Sequence, residues 1–225
     1  MPSLAVTFLQ KGKLIMDQKA IEKAVQAAIF EYNTDKNEQV KIGVSQRHVH
    51  LSREDLDTLF GKGFELTKLK TLMGREYASE QFVTLVGPSL KAIEKVRVLG
   101  PVRKNTQVEI SRTDTFVLKV SPPVRPSGEI EGSERLVLVG PKGSVYLKEG
   151  VIIANRHIHL TPQYAEKHGI RDNDYVDVEI EGIKPTKFYD VQVRVRDDFN
   201  VEMHIDTDDA NSAGLRNGDV VKILK

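Results

Sequence analysis

Two stretches of this chain are versions of one seven-residue phrase: Gln46-Arg-His-Val-His-Leu-Ser52 and Asn155-Arg-His-Ile-His-Leu-Thr161. Each follows an apolar run, VKIGVS or VIIA, and each ends on a residue suited to start a helix. Six histidines in 225 residues should give fewer than one His-x-His tripeptide, yet four of the six fall in these two. The fold therefore has to supply the same strand-to-helix corner twice. In extended backbone, residues i and i+2 share a face. His48 and His50 then point one way and His157 and His159 do likewise, with Val49 and Ile158 turned to the apolar side. Two imidazoles on one face make a ready pair of metal ligands. Hydrogen-bonded histidines beside a helix start would explain one such pair well, and a matched duplicate poorly.

Around the repeat the pattern is mainly β. Short apolar segments broken by Gly-Pro or Gly-containing turns predict strands at 39–45, 81–86, 93–99, 107–110, 135–140, 144–147, 151–154, 174–180, 188–195, 201–205 and 219–224. So many short strands at close intervals point to barrels or sandwiches rather than a doubly wound α/β fold. Ser52 with Asp55 predicts a capping box for a helix reaching Phe60. Thr161-Pro162 opens another helix that Gly169 closes, and Thr207 caps a third that stops before Gly214. The stretch Ser121–Ser133, with three prolines and two glycines, reads as an interdomain loop. The one long helical pattern is 17–32, where Ile21, Val25, Ala28, Ile29 and Tyr32 form an apolar stripe, and a polar linker, 33–38, follows it.

A histidine pair needs at least a third ligand. His204 lies in Val201-Glu-Met-His-Ile-Asp206, where the apolar residues alternate away from it. Glu109 lies between Val108 and Ile110, a carboxylate on a half-buried strand that calls for a nearby cation. His168, at a helix C-terminus, reads as a surface residue favourable with the helix dipole. Three protein ligands per ion leave an open position, the mark of a catalytic site. Nitrogen and oxygen donors suit zinc best, with cobalt, manganese or iron as alternatives.

Composition narrows the chemistry further. The formal net charge is +1 and no lysine or arginine block stands out, which argues against a nucleic-acid partner. There is no cysteine, so disulfides, thiolate zinc sites and a cysteine nucleophile are excluded, and any reacting thiol must come from a bound molecule. Ser3–Leu9 is too short for a signal peptide or a membrane span, and the chain reads as cytoplasmic.

The phrases VSQRHVHLS, QFVTLVGP, VRVLGPVRKNTQVEISRTD, VIIANRHIHLTP and VEMHIDTDDANSAG closely resemble the PduL-type phosphotransacylases, the phosphate propanoyltransferases of bacterial microcompartments. The resemblance runs from about residue 40 to the C-terminus. It implies two small interleaved β-barrels with short capping helices and a dinuclear zinc site between them, beside the N-terminal amphipathic helix. The domains would be 1–38 as an extension, 39–47 with 151–225 as one barrel, and 48–150 as the other. The resemblance assigns His48, His50 and Glu109 to one zinc and His157, His159 and His204 to the second. It makes Arg103 the arginine that holds phosphate, places Ser45, Lys70, Arg97, Leu99 and Asn211 along a coenzyme A pocket, and lets Ser127 reach phosphate. The implied reaction exchanges a short acyl group, propanoyl or acetyl, between coenzyme A and phosphate through an acyl phosphate, by direct thiolate attack. A homo-oligomer, location inside a microcompartment, and shell or cargo partners reached through the N-terminal helix also follow from the resemblance.

Two rivals compete. His48-x-His50-x3-Glu54-x6-Gly61 has the spacing of a cupin metal motif, although the second copy carries Gln163 where Glu54 stands. A non-catalytic module that merely holds an anion is the other.

Overall fold

The computed structural model describes residue 21 and residues 39–224. The predicted helix 17–32 and its linker 33–38 fall outside them, apart from Ile21. Strand β1 (Val40–Ser45) opens the described fold. It is followed by β2 (His48–Ser52), helix α1 (Arg53–Phe60), β3 (Lys68–Thr71), β4 (Tyr77–Val86), β5 (Ala92–Arg103) and β6 (Gln107–Glu109). Then come α2 (Arg112–Leu118), β7 (Val124–Arg125), β8 (Glu134–Val139), β9 (Ser144–Ala154) and β10 (His157–Leu160). The chain continues through α3 (Pro162–His168), β11 (Tyr175–Ile180), β12 (Thr186–Val195), β13 (Glu202–Asp206), α4 (Thr207–Ala213) and β14 (Val220–Leu224).

The strands close into two six-stranded barrels. One runs β1-β13-β10-β12-β11-β14 and returns to β1. The other runs β4-β5-β2-β6-β9-β8 and returns to β4, with β3 added beside β4 and β7 beside β9. The first barrel thus takes a single strand from before the first phrase and the rest from the second phrase onward. The chain enters the second barrel at β2, and crosses back at Asn155–Arg156. Each barrel has its own apolar core. Val49, Leu51, Val83, Leu85, Val98, Val108 and Leu138 fill one, and Ile42, Ile158, Leu160, Val178, Val193, Met203 and Ile205 fill the other. Val49 and Leu51, like Ile158 and Leu160, are fully buried, so the pleat leaves the intervening histidines on the opposite face of each barrel wall.

Several local expectations change. The segments 144–147 and 151–154 are one strand, because Gly150 takes a left-handed φ of 122° and a Cβ there would sit 2.8 Å from the Thr106 carbonyl. Gly100-Pro101 does not end β5. The β2–β5 register shifts between His50 and Ser52, a bulge in which a proline without an N–H is tolerated, and β5 continues to Arg103. Ser121–Ser133 is not an interdomain loop. It lies within the second barrel and contains β7, since Val124 and Arg125 retain N–H groups and pair with Ile153 and Ala154.

The helix caps also differ in detail. Ser52 caps α1 through Oγ, which accepts the Asp55 N–H at 3.1 Å, but Asp55 spends its carboxylate on the Thr106 hydroxyl, so the box is not reciprocal. Asp206 rather than Thr207 caps α4, its Oδ1 accepting the Asp209 N–H at 2.8 Å. The unpredicted helix α2 starts with a complete Ser111/Asp114 capping box. No helix among the described residues is long and apolar enough to cross a membrane.

Candidate metal centre

β2 is antiparallel to β6, and His48 faces Glu109 across that ladder. β10 is antiparallel to β13, and His157 faces His204 across that one. Residues paired directly in a sheet point to the same side, so each ladder adds one further donor to its histidine pair. The result is two triads, His48/His50/Glu109 and His157/His159/His204, with one ligand atom per residue and all of these within 4.8 Å of one another. Glu54, in the first turn of α1, belongs to neither, which removes the cupin-like spacing from consideration.

The first histidine of each phrase is held in the same way. His48 Nδ1 lies 2.8 Å from the Gln46 carbonyl, and His157 Nδ1 lies 2.9 Å from the Asn155 carbonyl. A carbonyl only accepts, so Nδ1 carries the proton in each ring; Nε2 of His157 is then left for a cation, and Nε2 of His48 lies 3.4 Å from the Glu109 carboxylate. His159 Nδ1 lies 2.9 Å from the Met73 thioether, and its ring stacks on Phe199 with centroids 3.9 Å apart. Two buried nitrogens, His50 Nδ1 and His204 Nε2, have no hydrogen-bond partner among the described residues. The Glu202 carboxylate is 3.9 Å from His204 Nε2, too far for a hydrogen bond. Buried polar atoms without partners are costly, and donors oriented this way fit a metal ion.

Electrostatics agree with that fit. Burial, then the charges of His157 and of Arg194, pushes His204 down to about 3. Burial, then His204 and His157, pushes His159 down to about 2. Burial also lowers His157, and burial with His48 and Arg103 holds His50 well below the ordinary histidine range. These four rings are therefore neutral near pH 7, the form that binds metals. Burial would likewise lower His48, but the Glu109 carboxylate and the Gln46 carbonyl outweigh it and the net shift is upward. Glu109 itself is pushed up by burial and then, more strongly, down by His48, His50 and Ser127. It is ionised.

A cavity of about 30 Å³ is lined by His48 and Glu109 of one triad, His157 and His204 of the other, and Ser45. Two members of each triad thus face one space, roomy enough for an ion or a water. Around Glu109 runs a polar network. Ser127 Oγ donates to Glu109 Oε1 at 2.8 Å, Gln107 Nε2 donates to the same oxygen at 2.6 Å, and Arg103 Nη1 donates to Ser127 Oγ at 3.3 Å. Arg103 is also paired with Glu76. It forms part of the wall of a much larger groove, about 1380 Å³, together with Lys104 and Arg125.

The remaining predicted residues are scattered around this centre. Arg97 pairs in register with His48 and Leu99 with His50 on β5, next to the first triad. Arg97 donates to the Ser79 carbonyl and lies over the Phe82 ring at 4.3 Å. Lys70 is exposed on β3, and Asn211 is exposed on α4. None of Ser45, Lys70, Arg97, Leu99 and Asn211 lines the large groove. Sequence reasoning missed Met73 and Glu76, which sit in an undiagnostic turn, and Gln107, whose place two residues before Glu109 puts it on the same face.

Fold and site together define a twin-barrel protein with duplicated candidate metal sites, one triad per barrel. Comparison with known sequences carries the assignment further: the phosphate propanoyltransferase family matches residues 41–216. A phosphate propanoyltransferase of Thermotoga maritima is 56% identical over 82% of this chain and 88% of its own length. One from Lachnoclostridium phytofermentans is 52% identical over 82% and 87%, and one from Priestia megaterium is 47% identical over 91% and 95%. The chain belongs to the phosphate propanoyltransferase family and is a phosphate acyltransferase.

Proposed function

We propose that this chain interconverts acyl-CoA plus phosphate with acyl phosphate plus coenzyme A, for a short acyl group such as propanoyl or acetyl, using two zinc ions per chain. The observation that carries the reading is that two three-donor triads each send two members to one cavity, with Arg103 linked to Glu109 through Ser127. His48, His50 and Glu109 would hold one ion, and His157, His159 and His204 the other. Zinc bound there supplies positive charge that lowers the pKa of a neighbouring thiol and polarises a substrate oxygen.

The residues themselves account for the rest. In the acyl-transfer step the thiolate sulfur of coenzyme A attacks the acyl carbonyl carbon, the carbon–oxygen bond to phosphate breaks, and phosphate leaves with the electron pair. Arg103 offers a planar fork that matches phosphate oxygens and follows the charge growing on the leaving group. Ser127 links that fork to Glu109 and presents a hydroxyl on the same side. Glu76 now occupies Arg103 and must share or yield it when phosphate arrives. Ser45, Lys70, Arg97, Leu99 and Asn211 would line the coenzyme A path, with Lys70 and Arg97 as its cations. Direct transfer fits better than an acyl-enzyme: the chain has no cysteine, and no described hydrogen bond joins a serine hydroxyl to a histidine. The same reading places the protein in the cytoplasm inside a bacterial microcompartment, as a homo-oligomer, with residues 1–38 addressing shell or cargo proteins.

The test is a thioester-absorbance assay with coenzyme A and acetyl or propanoyl phosphate, before and after chelation and on adding zinc back. Turnover should vanish on stripping and return in step with occupancy near two per chain. Full turnover of a metal-free preparation would sink the metal assignment, and no turnover under any loading would sink the acyl-transfer reading.

A further inference from the structure

The duplication extends beyond the histidines. The residue just before each His-x-His is an arginine, Arg47 or Arg156. The residue five places after each third triad member, Glu109 or His204, is an aspartate, Asp114 or Asp209. In the structure these four meet in two equivalent pairs. Arg47 Nε lies 2.9 Å from Asp114 Oδ2 and its Nη2 lies 2.8 Å from Oδ1, a two-pronged bridge to a carboxylate only 3% exposed. Arg156 Nε lies 3.1 Å from Asp209 Oδ2. Each aspartate is the third residue of its helix, α2 or α4, and its backbone N–H is already taken by the cap, Ser111 or Asp206.

Each bridge therefore ties two structures that a triad needs in register. One is the turn before the histidine strand, which carries the Gln46 or Asn155 carbonyl that accepts from the first histidine. The other is the start of the helix that follows the strand bearing the third ligand, two residues beyond Glu109 or His204. The two helix starts are themselves joined across the barrels, the Thr113 N–H donating to Asp208 Oδ2 at 2.7 Å. An arginine fork against a carboxylate fixes direction as well as distance, which a point charge does not.

We propose that Arg47 and Arg156 are positioning residues, each locking the turn ahead of its own histidine pair to the helix behind its own third ligand. The proposal rests on the metal-site reading above. It is tested with Arg47→Gln and Arg156→Gln, and with Asp114→Asn and Asp209→Asn, which remove the charge and, at Asp114, keep an acceptor for the Ser111 N–H of the helix cap. Cobalt(II) affinity is measured by chelator competition in backgrounds with one intact triad, His159→Ala for the first and His50→Ala for the second.

Arg47→Gln and Asp114→Asn should weaken cobalt binding about tenfold or more at the first triad and leave the second within about twofold, and the other two variants should do the reverse. A second readout needs no metal. Nitrogen NMR of the stripped full chain should show His48 and His157 with the proton on Nδ1, and each arginine variant should loosen that tautomer in its own triad alone. Equal losses at both triads, tracking a fall in melting temperature, would reduce the bridges to general stability and overturn the proposal. So would folded variants with unchanged affinity and unchanged tautomers. A parent chain that binds no cobalt would retire the metal reading, and the tautomer experiment would still decide the positioning role.

Discussion

In the barrel of β2–β9 the third triad member is a carboxylate, Glu109; in the barrel of β1 and β10–β14 it is an imidazole, His204. The same phrase, the same capped helix and the same antiparallel partner strand build both corners, so the local geometry is shared and the chemistry is not. The first triad carries an ionised group and sits in a polar network of Gln107, Ser127 and Arg103. The second is all imidazole and is covered by soft, apolar groups, the Met73 thioether and the Phe199 ring. On the function proposed above, the arginine fork beside this carboxylate would put phosphate next to the first triad. The difference shows how one duplicated scaffold can carry two unlike ligand environments.

Arg103→Ala offers the sharpest break between the two halves. It should cost on the order of a hundredfold in turnover with acyl phosphate, a few kcal/mol of lost contact to developing charge. The KM for coenzyme A should stay near its wild-type value. Loss confined to coenzyme A binding would put Arg103 on the wrong side of the comparison.

Acid should expose the imidazole triad. His159 and His204 sit at about 2 and about 3 in the fold, against 6.5 when exposed. Between those values the unfolded chain binds protons that the folded chain refuses, so stability falls as pH falls below about 6.5. His48 has the opposite sign: raised by Glu109, its contribution is full below the exposed value and is lost as pH rises through the folded one. Metal-stripped protein should therefore melt several degrees lower near pH 5 than near pH 7, and His159→Leu should flatten that slope. A slope unchanged in His159→Leu would show that other groups set the acid response.

Met73→Leu keeps the volume of the side chain and removes the sulfur acceptor from His159. Metal affinity at the second triad should drop by roughly a few-fold, toward the low end for an outer partner of a ligating histidine, with no change at the first. Equal affinity at both would mean that Phe199 alone holds the ring. The smallest effect should come from a chain starting at Asn37. Both triads lie beyond it, so turnover per chain should match the full-length protein, and only the size-exclusion mass should change. Lost turnover would tie residues 1–36 to the catalytic fold and end the targeting role proposed for them.

The histidine pairs were legible because a strand's period of two is imposed by the backbone, whatever the rest of the chain does. Val49 and Leu51, and Ile158 and Leu160, are apolar at the alternate positions and could only turn inward. Glu109 and His204 were legible one at a time, as polar residues on strands with apolar neighbours. Their partnership was not, since Glu109 reaches His48 through a ladder closed between residues 61 positions apart in the chain. The α2 cap was written in Ser111-Arg-Thr-Asp114, and the Arg47–Asp114 and Arg156–Asp209 bridges in the matching offsets of two repeats. The bridges needed the two halves of the chain to be laid over one another. Met73 and Glu76 had no signal in their turn, whose composition does not record what it touches.

Local rules therefore determined, from the sequence alone, the β-rich class, the two capped corners and the face on which the four histidines lie, because pleat and capping depend on neighbours in the chain. Tertiary structure decided that the strands close into two rings, that β5 bulges past Pro101 to deliver Arg103, and that both triads open on one cavity. It also brought Met73 to His159 and Glu76 to Arg103. Those outcomes follow from barrel closure, a global condition that pairs strands far apart in sequence and that no window along the chain contains.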